Sequence, residues 1–279
     1  MRPTRTTLSA ASLLLISTGL AACGGGGQND AAGQNCTPQH TFETVTKGKL
    51  TVAGYDLPPF GARDGDGMKG VDADILEHIA QKECLQIEAK WMAPAAVIPT
   101  VQSGRADTGI PDWYRTKARS EIVSLTDPMY LDQMAISSKE AISKISDLKG
   151  KQVGTVDGYL WVDDLKKYLG GSLKIYPSTV NLNQDLKAGR IAIAVDSFGS
   201  QKATNPDMKI SVAEPEPTVA ASKEAAQAAF PVPKQNTALL EAFNAHIKQM
   251  HEDGTLAKIL KDNGLDESAV EVGEPRLIG

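Results

Sequence analysis

Arg119 is the side chain in this 279-residue sequence best suited to gripping an anion. Its guanidinium is a planar fork that can donate two parallel hydrogen bonds to a carboxylate. Thr116, three residues earlier, reads as the cap of the helix that carries it. Just upstream lies Asp112-Trp113-Tyr114, an acid beside two bulky aromatics that can stack on a planar or cationic group. The plainer alternative is that Trp113 and Tyr114 fill the loop between a strand and that helix. A second run of similar type is Asp157-Gly158-Tyr159-Leu160-Trp161. Gly158 suits a turn where a helix N-terminus offers free backbone amides to an anion. Asp157 either meets a cationic group or serves its own backbone in the turn.

Other chemistries lack their residues. His40, His78, His246 and His251 show no metal-ligand spacing, and positions 246 and 251 fall off one helical face, so no metal is expected. Asp64-Gly65-Asp66-Gly67 lacks the third acid, glycine register and closing glutamate of a calcium loop and reads as a hairpin turn. No nucleophile elbow, phosphate loop or dinucleotide fingerprint occurs, and no cofactor is expected.

The elements that must position these residues alternate from Leu50 onward: short apolar strands, then amphipathic helices. That pattern predicts α/β architecture with largely parallel sheets. Strands are expected at Leu50 to Ala53 and at Ile87 to Trp91. Between them Gly54 to Phe60 is an irregular loop broken by Pro58 and Pro59, and Asp72 caps a helix that buries Ile75, Leu76, Ile79 and Ala80. A helix with Val97, Ile98 and Val101 closes at Gly104. Composition changes after Tyr130, and a second series follows: strand Gln152 to Val156, helix Leu160 to Leu169, strand Leu173 to Tyr176, a helix ending at Gly189, and strand Ile191 to Val195. Past Phe230-Pro231-Val232-Pro233, two helices capped by Thr237 and Thr255 close the chain.

The first residues are expected to be export grammar. Arg2 and Arg5 precede an apolar stretch from Leu8 to Leu20 that is too short and polar to span a bilayer. Net charge is −5, and losing those two arginines lowers it to −7, an acidic balance that argues against nucleic acid as partner. Hydrophobic residues at 41% and charged ones at 23% are ordinary globular composition. Gly24 to Asn35 is glycine-rich and polar, as a flexible tether would be. Cys36 and Cys84 form an even pair that an oxidising compartment would join as a disulfide, two free thiols being the alternative.

Two resemblances organise these features. Leu20-Ala21-Ala22-Cys23 resembles the lipobox of bacterial lipoproteins, which implies lipid on Cys23 and a membrane-anchored protein facing the periplasm or cell exterior. An ordinary cleavage site with a chance cysteine is the alternative. The remainder resembles the family 3 solute-binding proteins of amino-acid ABC transporters. Leu57-Pro58-Pro59-Phe60, Gly70-Val71-Asp72-Ala73-Asp74, Ser103-Gly104-Arg105-Ala106-Asp107, Thr116 with Arg119, Asp127-Pro128-Met129-Tyr130, Asp147-Leu148-Lys149-Gly150-Lys151, Ala188-Gly189-Arg190 and Asp253-Gly254-Thr255 match that family in order and spacing. The resemblance implies a two-lobed Venus-flytrap fold of the type II periplasmic-binding kind, with two crossing hinge strands. It divides the chain into signal peptide 1–22, tether 23–44, lobe one at 45–131 and 229–279, and lobe two at 132–228.

It also implies that Arg119 holds a ligand's α-carboxylate and that an aspartate near Asp196 holds the α-amino group. Asp196 aligns one residue early, with Ser197 at the family position, and in a strand one residue changes the face. Where the family carries small hydroxyl and glycine residues, this sequence has bulky aromatics. Asp112, Asp157 and Asp196 with Tyr55, Trp113, Tyr114, Tyr159 and Trp161 would surround Arg119 with an aromatic, negative pocket suited to a cationic or zwitterionic amine. The expected protein is a monomeric carrier that delivers an amino acid or similar amine to an ABC permease and is not an enzyme. The alternatives are a periplasmic enzyme similar to cyclohexadienyl dehydratase, in which Asp157 or Asp196 would be the general acid, and a ligand-sensing surface lipoprotein.

Overall fold

The computed structural model describes residues 36–279. The expected signal peptide, Cys23 and residues 23–35 of the tether lie outside the described residues. Among those described, no helix is long and apolar enough to cross a membrane.

Strand β1 (Lys49–Gly54) is the centre of a three-stranded sheet and is buried on both faces, which is why its sequence is a near-continuous apolar run. A hairpin follows, β2 (Ala62–Asp64) against β3 (Gly67–Lys69), with the expected turn at Gly65-Asp66. Helix α1 (Val71–Lys82) begins after Gly70, where φ is +110° and a Cβ would stand 2.5 Å from the Pro59 carbonyl oxygen. Asp72 does not cap this helix. It lies inside the first turn, fully buried, because its carboxylate is engaged by residues from two other segments. Strand β4 (Gln86–Trp91), helix α2 (Pro94–Gln102) and strand β5 (Thr108–Gly109) complete the sheet in the order β4-β1-β5, both pairings parallel. Helix α3 (Lys117–Ile122) then starts at Thr116, whose hydroxyl accepts from the Arg119 amide at 3.1 Å as the sequence predicts. A short strand β6 (Ser124–Leu125) leads to the hinge.

The chain crosses to the second lobe through β7 (Tyr130–Asp132) and enters β8 (Met134–Ser138). The second sheet adds β9 (Val153–Val156), helix α4 (Val162–Leu169), β10 (Leu173–Tyr176), helix α5 (Thr179–Lys187), β11 (Ile193–Ser197), helix α6 (Phe198–Thr204) and β12 (Lys209–Val212). Its order is β10-β9-β11-β8-β12, parallel among the first three and antiparallel thereafter. Two boundaries move from the sequence expectation. The helix expected from Leu160 starts at Val162, because Tyr159, Leu160 and Trp161 form a turn pinned by the Trp161 indole on the Thr155 hydroxyl at 2.7 Å. The strand expected at Ile191 starts two residues later, since the Ile191 and Ala192 amides are spent on the Asp185 and Gln152 carbonyls.

The return crossing is β13 (Ala226–Ala228), antiparallel to β7 with Ala226 opposite Asp132 and Ala228 opposite Tyr130. Strand β14 (Pro231–Val232) pairs with β6, and helices α7 (Thr237–Glu252) and α8 (Thr255–Asp262) end the α/β series. The side chain capping α7 belongs to Asn236 rather than Thr237, and α8 begins at Gly254 in the left-handed region. The tail then folds back over the hinge: the Gln227 amide donates to the Val272 and Glu274 carbonyls, and the Arg276 amide donates to the Gln227 side chain. One apolar cluster combines residues between Leu50 and Tyr130 with residues between Ala228 and Leu260. The main cluster of the second sheet spans Met134 to Ala226, with Tyr114 and Ile278 packed into it. Cys36 and Cys84 are joined as a disulfide, Cα atoms 5.7 Å apart.

Glycines mark two close approaches between the lobes: a Cβ on Gly199 would stand 2.6 Å from the Phe60 ring, and at Gly158 the neighbour is backbone. Gly158 has φ +83°, and a Cβ there would lie 2.8 Å from Ala95 Cα at the start of α2. Gly158→Ala should therefore keep the lobes from meeting. We expect a larger radius of gyration by small-angle X-ray scattering, with a urea-unfolding loss of about 1–2 kcal/mol from the backbone strain.

Candidate functional site

Arg119 faces a narrow cavity between the lobes with about 20 Å³ of free space, room for little more than a water molecule with the lobes in this arrangement. Three local features place it there. The Thr116 cap fixes the first turn of α3, the guanidinium donates from Nη1 to the Tyr114 carbonyl at 2.9 Å, and the Trp113 ring lies 4.7 Å from it, face on. Burial lowers the Arg119 pKa to about 10, so it stays charged at neutral pH.

Tyr55, Leu57, Asp112, Trp113 and Tyr114 join Arg119 on the first-lobe wall, and Tyr159, Leu160, Trp161 and Ser197 form the opposite wall. Each aromatic is held by its polar end. The Tyr55 hydroxyl donates to the Pro111 carbonyl at 3.3 Å, Tyr114 donates to Asp132 at 2.6 Å, Tyr159 shares a 3.0 Å bond with Thr179, and Trp161 is pinned on Thr155. Their apolar faces are left to the cavity. Trp113 is the exception, because its indole N–H is buried and has no partner.

Carboxyls ring this wall. Asp112 adopts a left-handed φ of +54°, unusual for a residue with a side chain. Its amide donates to Asp72 at 2.8 Å, and its own Oδ1 is buried without a partner. Asp72 also accepts from the Tyr130 hydroxyl at 2.7 Å, which ties this network to β7. Asp132, at the end of β7, accepts from Tyr114 and from the Gly199 amide of the second lobe at 3.2 Å. Asp196 accepts from the Gln201 amide at 2.9 Å and from the Ser197 backbone at 2.8 Å. Burial raises Asp72 and Asp196 to about 7, and burial together with the nearby Asp132 and Asp72 charges pushes Asp112 well above the usual carboxylate range. Burial and neighbouring carboxylates also push the Tyr55, Tyr114, Tyr130 and Tyr159 phenols upward.

Seven of the residues singled out in the sequence converge here: Tyr55, Asp112, Trp113, Tyr114, Arg119, Tyr159 and Trp161. Gly158 serves the contact with α2 instead of the cavity wall. Asp157 is corrected: it is exposed and not part of the wall, because its amide donates to the Tyr176 carbonyl and turns the residue outward. Ser197 lines the cavity, while Asp196 stands directly behind it, held by Gln201. Asp72 and Asp132 went unrecognised as site residues. Asp72 has the position and type of a helix cap, and nothing in the local sequence marks Asp132. Of metal-ligating groups, His40, Glu83 and His246 come together outside this cavity, their donor atoms within 4.8 Å of one another.

An arginine, unpaired polar atoms and buried carboxyls on facing aromatic walls can hold a small molecule by its carboxylate and its ammonium at once. The pattern that defines bacterial extracellular solute-binding proteins, family 3, matches residues 50–264. The arginine-binding extracellular protein ArtP of Bacillus subtilis is 25% identical over 235 residues, 81% of this chain and 90% of that protein. An ancestral arginine-binding protein solved with arginine is 31% identical, with TM-score 0.68 over 78% of this chain and 99% of that one. The binding protein AbpA of Streptococcus pneumoniae, solved with L-arginine, is 28% identical, with TM-score 0.69 over 81% of this chain and 97% of that one.

The carboxyls give stability a definite pH sense. Asp72 titrates near 7 when folded against 3.8 for the free group, so between those values the native state holds the extra proton. This contribution is fully present below 3.8 and is lost as pH rises through about 7. Urea unfolding should show stability falling across this window, by about 4 kcal/mol at most for one such group, and falling less steeply in Asp72→Asn. Equal slopes in the two proteins would remove Asp72 as the source.

Proposed function

The chain belongs to the bacterial extracellular solute-binding proteins of family 3, and from that membership we propose that it captures an amino acid or related zwitterionic amine, a cationic one favoured, for delivery to an ABC permease. One observation carries the reading: the half-buried Arg119 guanidinium shares the interlobe cavity with Asp112 and Trp113, whose Oδ1 and indole N–H have no partner. In this reading Arg119 takes the ligand carboxylate through charge-assisted hydrogen bonds. Asp112 and Ser197 meet the ammonium, and the Tyr55, Tyr159 and Trp161 faces receive the side chain, with cation–π attraction favouring a positive head. The arginine that the named relatives bind supports the cationic preference.

A ligand touching both walls stabilises the closed state, because only differential affinity for two states shifts their populations. The crossing strands β7 and β13 would be the hinge, and lipid on Cys23 would keep the domain beside its permease. Two acyl chains suffice for durable anchoring, at about 0.8 kcal/mol per buried CH₂. Mass spectrometry of membrane-extracted protein should show the diacylglyceryl adduct on Cys23; an unmodified thiol rejects the anchor.

A second reading follows from the raised carboxyls. Asp196 titrates at about 7 and Asp112 is pushed well above the usual carboxylate range, the direction a general acid needs. Turnover of prephenate or arogenate would then replace simple binding.

Isothermal titration against arginine, lysine, histidine, glutamine and glycine betaine tests the carrier reading, and binding to none of these or other small polar solutes defeats it. Arg119→Ala should weaken the bound ligand at least about tenfold, since a charge-assisted hydrogen bond is worth roughly 1.5–3 kcal/mol. An unaltered dissociation constant excludes the carboxylate role.

A further inference from the structure

Glu83, at the C-terminal end of α1, has a fully buried side chain whose Oε1 contacts two imidazole nitrogens at once. His40 Nδ1 and His246 Nε2 each lie 2.6 Å from it, and the two rings meet edge to face with centroids 5.1 Å apart. The remaining oxygen, Oε2, accepts from the His40 amide at 3.0 Å and so fixes the carboxylate plane. His246 is buried on α7, while the His40 side chain is 35% exposed in the extended segment that precedes β1. Three donors from three separate parts of the chain thus aim at one point, with solvent on one side only.

We propose that His40, Glu83 and His246 form a zinc site that fastens the N-terminal segment to the first lobe. Two neutral imidazoles and one carboxylate are a donor set that zinc accepts, with the fourth tetrahedral position left to water on the open His40 side. The ion takes the place of the two N–H hydrogens that now face Oε1, and these move to the opposite ring nitrogens. Each ring nitrogen must draw back from 2.6 Å to about 3.3 Å from Oε1 to surround an ion with bonds of about 2.0 Å. His40 can supply its share of that movement because it belongs to no helix or strand, and the His246–Glu83 pair opens by side-chain rotation. The His40 amide on Oε2 orients the ligating carboxylate from outside the coordination sphere.

The surroundings suit a fastening role. The segment is already stitched to the lobe by the Cys36–Cys84 disulfide next to Glu83, by Asn236 donating to the Glu43 carbonyl at 2.9 Å, and by the Val45 amide on Asp107 at 2.8 Å. A metal at His40 would close the stretch between the disulfide and those bonds. The site shares no residue with the interlobe cavity, so it stands whether or not the carrier reading does.

The test is zinc titration of the purified, chelator-stripped protein by calorimetry, with thermal unfolding alongside. One zinc ion should bind per chain and raise the unfolding midpoint, while His40→Ala weakens binding at least about 100-fold, since even outer-shell partners of a metal ligand are worth 10–100-fold. The His40 side chain is 35% exposed, so this variant is expected to fold, which its metal-free urea midpoint verifies. Glu83→Gln should weaken zinc as well, and His251→Ala should leave it unchanged. No zinc bound by the wild type, equal binding by His40→Ala, or loss in His251→Ala each overturns the proposal.

Discussion

Arg119 keeps its charge in a half-buried position because the Tyr114 carbonyl accepts from its Nη1 and the face of Trp113 covers it. Much of the cleft depends on this arrangement. Tyr114 must offer its carbonyl to the arginine while its hydroxyl reaches Asp132 in the first crossing strand. Asp132 in turn takes the Gly199 amide at the start of α6, in the other lobe. A short chain of hydrogen bonds therefore runs from the residues around Arg119 through the first crossing strand to the start of α6 in the other lobe. A buried cation without such partners would face a desolvation cost of several kcal/mol.

The surrounding acids answer that one cation unequally. Asp132 has two donors, and Asp72 has a phenol and a backbone amide. Asp112 contributes its amide to that network yet leaves its own Oδ1 without a partner, in a backbone conformation that costs about 1–3 kcal/mol and persists only because its surroundings enforce it. Among the described residues seven buried side-chain atoms lack a partner, and two of them, on Asp112 and Trp113, belong to residues of the cavity wall, where a partner from outside can meet them. The Trp113 indole N–H repeats the pattern from the donor side.

Much of this was legible in the sequence. Arg119 with Thr116, and the aromatics at positions 55, 113, 114, 159 and 161, are conspicuous by type and lie where strands end, which is where open α/β sheets collect their sites. Helical and strand periodicity likewise located the alternation in both lobes. Residues whose role depends on distant neighbours escaped. Asp72 looks like a cap because its partners, Asp112 and Tyr130, are 40 and 58 residues away. Asp157 looked like a site residue because sequence does not show which way a turn points. His40, Glu83 and His246 share no local spacing at all, being gathered by the packing of α1 and α7 and by the path of the leading segment.

The placement of the tryptophans has an optical consequence. Two of the three, Trp113 and Trp161, border the interlobe cavity, whereas Trp91 lies on the outer strand β4 beside Arg63. A solute entering the cavity changes the polarity around two indoles and leaves the third as a constant background. Were the proposed ligand to occupy the cleft, indole emission would report it without any attached dye.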